Sequence, residues 1–108
     1  MFVMSRIMKF EKGHLEAVLE NMKKKALLES FKGFVRREIL VDQKHEEYDL
    51  IRMMIYWESK KAFYAWEGSP EHINLHKQGK DRPKPAGLIE VSKEQYEVVY
   101  SAVYREEN

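Results

Sequence analysis

The stretch Tyr48-Asp49-Leu50-Ile51-Arg52-Met53-Met54-Ile55-Tyr56-Trp57 limits the fold more than any other. It is apolar on both faces over much of its length. Side chains along a strand point alternately to opposite faces, so a run of this kind belongs inside a sheet and is covered on both sides. It therefore needs a flanking strand on each edge and a layer over each face. The chain has 108 residues in which to supply them, enough for one domain, 1–108, with one core.

Residues 2–10 alternate with a period of two and predict a strand. Phe2, Met4, Arg6, Met8 and Phe10 share one face, which should be buried. Arg6 is the only charge on that face. An unpaired guanidinium is costly to bury, so Arg6 needs a carboxylate partner, a route out at the sheet edge, or a wet pocket. After Gly13, residues 14–29 place Leu15, Val18, Leu19, Met22 and Ala26 at helical spacing. The run Lys23-Lys24-Lys25 suits the negative end of that helix and a solvated face. A turn at 31–34 leads to a strand over 34–41. A polar hairpin loop, 42–47, carries His45, read as a solvated residue.

Residues 59–77 read as two short helices broken at Gly68. Ser59 caps the first. Ser69 caps the second, with Pro70 at its first position. Phe63 and Trp66 share one helix face, as do Ile73 and His76. Gly and Pro make 78–87 a loop. Lys77, Lys80, Arg82 and Lys84 face only Asp81 there, which is either ordinary loop polarity or a basic rim that anchors ligand carboxylates. The alternation of Tyr96, Val98, Tyr100, Ala102 and Tyr104 predicts a closing strand over 95–104.

The order is strand, helix, strand, strand, helix pair, strand. This is the α+β ferredoxin-like βαββαβ plan, with one helix layer over one sheet face. The other face is too apolar to stand bare. It predicts a two-fold homodimer whose sheets meet as an α/β barrel. A formal net charge of +1 gives no global electrostatic case for nucleic acid or an anionic membrane as partner. An RNA-binding sheet would also need an RNP1 pattern, which is absent. There is no cysteine, so disulfides and thiolate metal sites are excluded. No apolar run approaches the ~20 residues of a membrane span, and no secretion signal opens the chain; the expected location is the cytoplasm.

A tryptophan and a histidine aimed at one cavity suit a flat, metal-bearing ligand, with imidazole on the metal and indole against the ring. On helix faces alone such residues are more often core. His72 and His76, four apart, could also hold zinc. No Glu follows His72 directly and no third ligand is evident, so zinc ranks below a flat, metal-bearing ligand and His72 reads as a surface residue.

The stretch Trp57-Glu58-Ser59-Lys60-Lys61-Ala62-Phe63-Tyr64-Ala65-Trp66, with His76-Lys77 ten residues on, resembles the IsdG-type heme-degrading monooxygenases. These belong to the antibiotic-biosynthesis-monooxygenase group of dimeric α/β barrels. The opening Met1-Phe2-Val3-Met4-Ser5-Arg6, the Trp57-Glu58-Ser59 junction and the Lys80 to Pro85 loop are most similar to the HmoA-like heme monooxygenases of bacilli. The resemblance implies that His76 is the axial ligand of heme iron and that Trp66 pushes the porphyrin out of plane, with Phe63 beside it. The family's third residue is an Asn on the first strand. Arg6 stands there in this chain, next to Ser5. Asn both donates and accepts, whereas Arg only donates. Arg6 would then serve bound oxygen or a propionate, and Lys80, Arg82 and Lys84 the propionates.

The implied reaction uses heme as both cofactor and substrate. O2 and outside electrons open the ring at a meso carbon and release iron. The chain carries no flavin or nicotinamide fingerprint, so the electrons come from a separate reductase or a small reductant. The alternatives are a non-catalytic heme-binding or heme-buffering dimer and a cofactor-free oxygenase of an aromatic substrate.

Overall fold

The computed structural model describes residues 1–80 and 82–107. In chain order it comprises β1 (Phe2–Glu11), α1 (Leu15–Met22), a short 3-10 turn (Leu27–Ser30), β2 (Phe34–Asp42), β3 (Tyr48–Trp57), α2 (Lys60–Glu67), α3 (Pro70–Gly79) and β4 (Leu88–Glu97). The four strands form one antiparallel sheet in the order β2-β3-β1-β4. This is the ferredoxin-like α+β plan. The doubly apolar run is an interior strand, β3, between β2 and β1.

The register Phe2↔Trp57, Met8↔Ile51 puts the bulky side chains of β1 and β3 on one face. They form two clusters along the strands. At one end Phe2, Ile55 and Trp57 pack against Phe63 and Trp66 of α2. At the other, Met8, Phe10 and Ile51 meet the half-buried Leu15, Val18, Leu19 and Met22 of α1. Both expected caps form. Ser59 Oγ accepts from Ala62 N–H at 3.1 Å, and Ser69 Oγ accepts from His72 N–H at 3.2 Å. The Ser69 hydroxyl also donates to the Trp66 carbonyl at 2.6 Å, tying α3 to the end of α2 across the Gly68 break. Asp49 is buried in β3 and takes Lys12 Nζ at 2.6 Å, which explains a carboxylate inside the sheet.

Two expectations change. The helix expected over 14–29 stops at Met22. The guanidinium of Arg37 donates to the Met22 carbonyl at 2.9 Å, the Lys24 carbonyl at 3.0 Å and Glu29 Oε2 at 2.8 Å. Carbonyls that a longer helix would occupy are thus satisfied from β2. Glu29 Oε2 also accepts from Ala26 N–H at 2.8 Å. That backbone bond and then Arg37 hold the Glu29 carboxyl below its ordinary range.

The closing strand is Leu88–Glu97, not 95–104. Its partner decides this. Phe2 opposes Glu97, and Val98 N–H donates to the Met1 carbonyl at 2.9 Å, so β1 has no residue left to pair with 99–104. That segment runs on with Tyr100 83% and Tyr104 89% exposed.

Within one chain the sheet is open and closes no barrel. Its helix-free face mixes apolar groups with ion pairs. Arg36 lies 3.9 Å above the Tyr56 ring, and Arg52 and Lys9 reach Glu94 and Glu90 at 3.7 and 3.1 Å. The Ser5 hydroxyl is buried on β1 with no hydrogen-bond partner among the described residues. No helix among the described residues is long and apolar enough to cross a membrane.

Candidate functional site

Because α1 is short and only half-buried, a cleft of about 760 Å³ opens between it, the sheet and the segment before β4. Met8, Phe10, Val18, Met22, Met53 and Leu88 give it apolar walls. Arg6, Lys24, Lys25, Arg37 and Arg82 give it a cationic rim, and Asn21 adds a group that both donates and accepts. Arg6 therefore lies on the helix side of the sheet, exposed to a wet pocket. The segment is held by Gly87, whose φ of +82° suits glycine and whose carbonyl accepts from Glu11 N–H at 2.8 Å. A β-carbon at Gly87 would collide with the His14 ring. This close approach brings Arg82 to the cleft.

A second cavity, about 380 Å³, lies on α3 and is lined by His72, Leu75, His76, Gly79 and Lys80. His76 is exposed. Its Nε2 lies 3.0 Å from His72 Nε2, while His72 Nδ1 lies 2.9 Å from the Glu67 carbonyl. A carbonyl only accepts, so His72 Nδ1 carries the proton. With His72 neutral, its bare Nε2 accepts a hydrogen bond from the Nε2–H of His76.

Trp66 is 5% exposed. Its ring meets Phe31 edge-on at 5.2 Å, Trp57 at 6.3 Å and the His72 ring at 5.1 Å. Phe63 is deeper still, against Phe2 at 5.1 Å and Trp57 at 6.3 Å, so it anchors α2.

The structure thus brings Arg6 and Arg82 to one cleft, and His76 and Lys80 to the other. Trp66 and His76 are joined through His72, whose ring lies 4.5 Å from that of His76. Lys84 is exposed between the two proline residues of the loop. Asp81 lies outside the described residues. Sequence reasoning passed over Asn21, Arg37 and the bridging place of His72. Only His72 left a signal, its four-residue offset from His76. No group of three or more metal-ligating side chains occurs among the described residues.

Residues 1–78 match the family model for antibiotic biosynthesis monooxygenases. The chain belongs to the antibiotic biosynthesis monooxygenase family. The match runs from β1 through nearly all of α3 and so takes in the helix pair with Trp66 and His76. Among monooxygenases of this family, the chain is similar to the heme-degrading monooxygenase HmoA of Bacillus subtilis. The two are 32% identical over 98 residues, 91% of each chain. A crystal structure from Bacillus cereus described as an antibiotic biosynthesis monooxygenase superposes with a TM-score of 0.82 at 27% identity, over 98% of both chains. A variant of MhuD, crystallised with two manganese protoporphyrin IX bound per active site, superposes with a TM-score of 0.71. It is 25% identical and covers 96% of this chain and 100% of its own.

Proposed function

We propose that this family member is a heme-degrading monooxygenase. It takes heme as substrate and cofactor and opens the porphyrin with O2 and electrons from an external donor or reductase, releasing iron. The observation that carries the reading is the cleft, apolar inside and cationic at the rim; a separate cavity on α3 presents the exposed imidazole. A metalloporphyrin is a flat apolar body with a metal at its centre and two carboxylates on one edge, and those groups match these residues. The volume, about 760 Å³, falls in the ~300–1,000 Å³ range of ligand clefts. The names of two similar proteins, a heme-degrading monooxygenase and a manganese protoporphyrin complex, support the same ligand class.

When bound, heme iron supplies the redox chemistry that activates O2. The chain's own residues bind and orient. His76 offers the imidazole for iron. Arg6 and Arg82 at the cleft, with Lys80 and Lys84 nearby, hold carboxylates by charge-assisted hydrogen bonds. Trp66 presses on the tetrapyrrole. Phe31, Trp57 and His72 cover its ring, so this contact requires His72 to swing off the indole. Phe63 holds α2, and thereby Trp66, in place.

The test is optical. Hemin is added, the Soret band is followed after addition of reductant in air with catalase present, and free iron is assayed. The expected result is a shifted band that decays with iron release. His76→Ala should abolish coordination and Trp66→Ala should slow the decay. A band that stays stable after reduction would overturn degradation in favour of a heme carrier. Oxygenation of an aromatic substrate that survives His76→Ala would overturn heme altogether.

The working form is a single 1–108 domain paired as a two-fold homodimer in the cytoplasm. Support comes from the segment after β4, where Val99, Tyr100, Val103 and Tyr104 are each at least 80% exposed, with no strand beside them among the described residues. Sedimentation velocity at micromolar concentration should show a dimer; a monomer would sink this part.

A further inference from the structure

We infer that His72 and His76 form a two-nitrogen chelate for a divalent transition-metal ion, Zn2+ or Cu2+, and that this ion competes with heme for His76. The second half rests on the heme reading above; the first does not.

The spacing is close to that of a chelate. Two nitrogens at 2.0–2.1 Å from a tetrahedral ion lie about 3.3 Å apart. The two Nε2 atoms lie 3.0 Å apart and point at one another across a single shared proton. A metal ion takes the place of that proton, which passes to His76 Nδ1 by way of solvent. Neither ring needs to travel far.

His72 is also oriented as metal-bound histidines are. Its far nitrogen donates to the Glu67 carbonyl at 2.9 Å, which fixes the tautomer with the lone pair on Nε2, facing His76. Trp66 backs the ring at 5.1 Å and limits its rotation. Both histidines open on the cavity at Leu75, Gly79 and Lys80, where water completes the coordination shell. His76 lies in the last turn of α3, where the helix dipole favours positive charge. Imidazole ligands select zinc, copper and nickel over magnesium or calcium. The lysine at the rim supplies no ligand, so the site is a weak, exchangeable one rather than a resident structural metal.

The consequence is exclusion. His76 Nε2 cannot serve both ions, and an ion held between the histidines also keeps His72 seated on Trp66. Zinc would thus block both contacts that the heme reading asks of this helix pair.

The test uses the tag-free full chain and zinc chloride as probe. Calorimetry should show one zinc per chain. His76→Ala and His72→Phe, the latter keeping a ring against Trp66, should each weaken binding at least about tenfold. His45→Ala, at the hairpin-loop histidine whose Nε2 lies 3.5 Å from Asp42 Oδ2, should leave it unchanged. Zinc binding indifferent to both α3 substitutions would overturn the chelate. Hemin is then titrated with and without zinc. Its apparent Kd should rise at least about tenfold with zinc in the parent chain and stay put in His72→Phe. If zinc binds as described but leaves hemin affinity untouched, competition is overturned and His76 is not the iron ligand. If hemin coordinates through His76 and zinc does not bind, the chelate fails while the heme reading stands.

Discussion

The two ends of the helix layer are built differently. Under α2, Phe2, Trp57, Phe63 and Trp66 interlock at ring-centroid distances between 5.1 and 6.3 Å for the contacting pairs Phe2–Phe63, Trp57–Phe63 and Trp57–Trp66. Under α1 no helix residue is fully buried, and a cleft stands where the packing would be. The same sheet carries both. Dense aromatic packing stabilises the fold and holds the Trp66–His72–His76 row in place. Loose packing leaves apolar surface and cations for a ligand. A small domain can spare one end of its core for binding only because the other end is packed so well.

The sharpest way to break this contrast is to truncate one side chain at each end. Trp57→Ala should cost about 3–5 kcal/mol in urea unfolding, the range for a buried large aromatic. Leu19→Ala in α1, half-buried, should cost about 1–2 kcal/mol. Equal costs would mean that α1 contributes as much packing as α2, and the contrast would fall. Arg6→Ala and Arg82→Ala should each weaken hemin binding about two- to fivefold, the scale of an exposed ion pair, with less effect as salt rises. A hemin affinity unchanged by both would remove the cleft from the binding site.

The smallest effect concerns acid. The folded-state pKa of Glu29 lies below its unfolded value, so its contribution is present above the ordinary glutamate range, about 4.3, and is lost as pH falls through the depressed value. Glu29→Gln should lower stability at pH ~7 and flatten the loss between pH ~5 and ~3, read as urea midpoints against pH. Because Arg37 loses its carboxylate partner, α1 should also fray at Met22.

Much of this was legible in the chain because it is local. The doubly apolar β3, the caps at Ser59 and Ser69, and the helical offsets of Phe63, Trp66, His72 and His76 depend on neighbours within a few residues. What was hidden is long-range. Arg37 reaches back to Met22 and Lys24 from the next strand, and nothing in the 14–29 periodicity shows that those carbonyls are taken. The alternation after Tyr96 is a sound strand signal, yet β4 ends at Glu97 because its partner β1 begins at Phe2. In the site, the four-residue offset placed His72 beside His76. The contact of His72 with Trp66 depends on how the chain bends at Gly68. Arg82 reaches the cleft through the Gly87 approach to His14.

The described chain measures 48 × 41 × 21 Å, with a radius of gyration of 16.0 Å against about 13 Å for a compact chain of this length. In hydrodynamic terms this is a plate, which drags more water than a sphere of its mass. Two plates laid sheet to sheet would have a short axis of twice 21 Å, matching the other two axes. Pairing would then double the mass while making the particle rounder. Its sedimentation coefficient would rise more steeply on association than that of a protein whose protomer is already round.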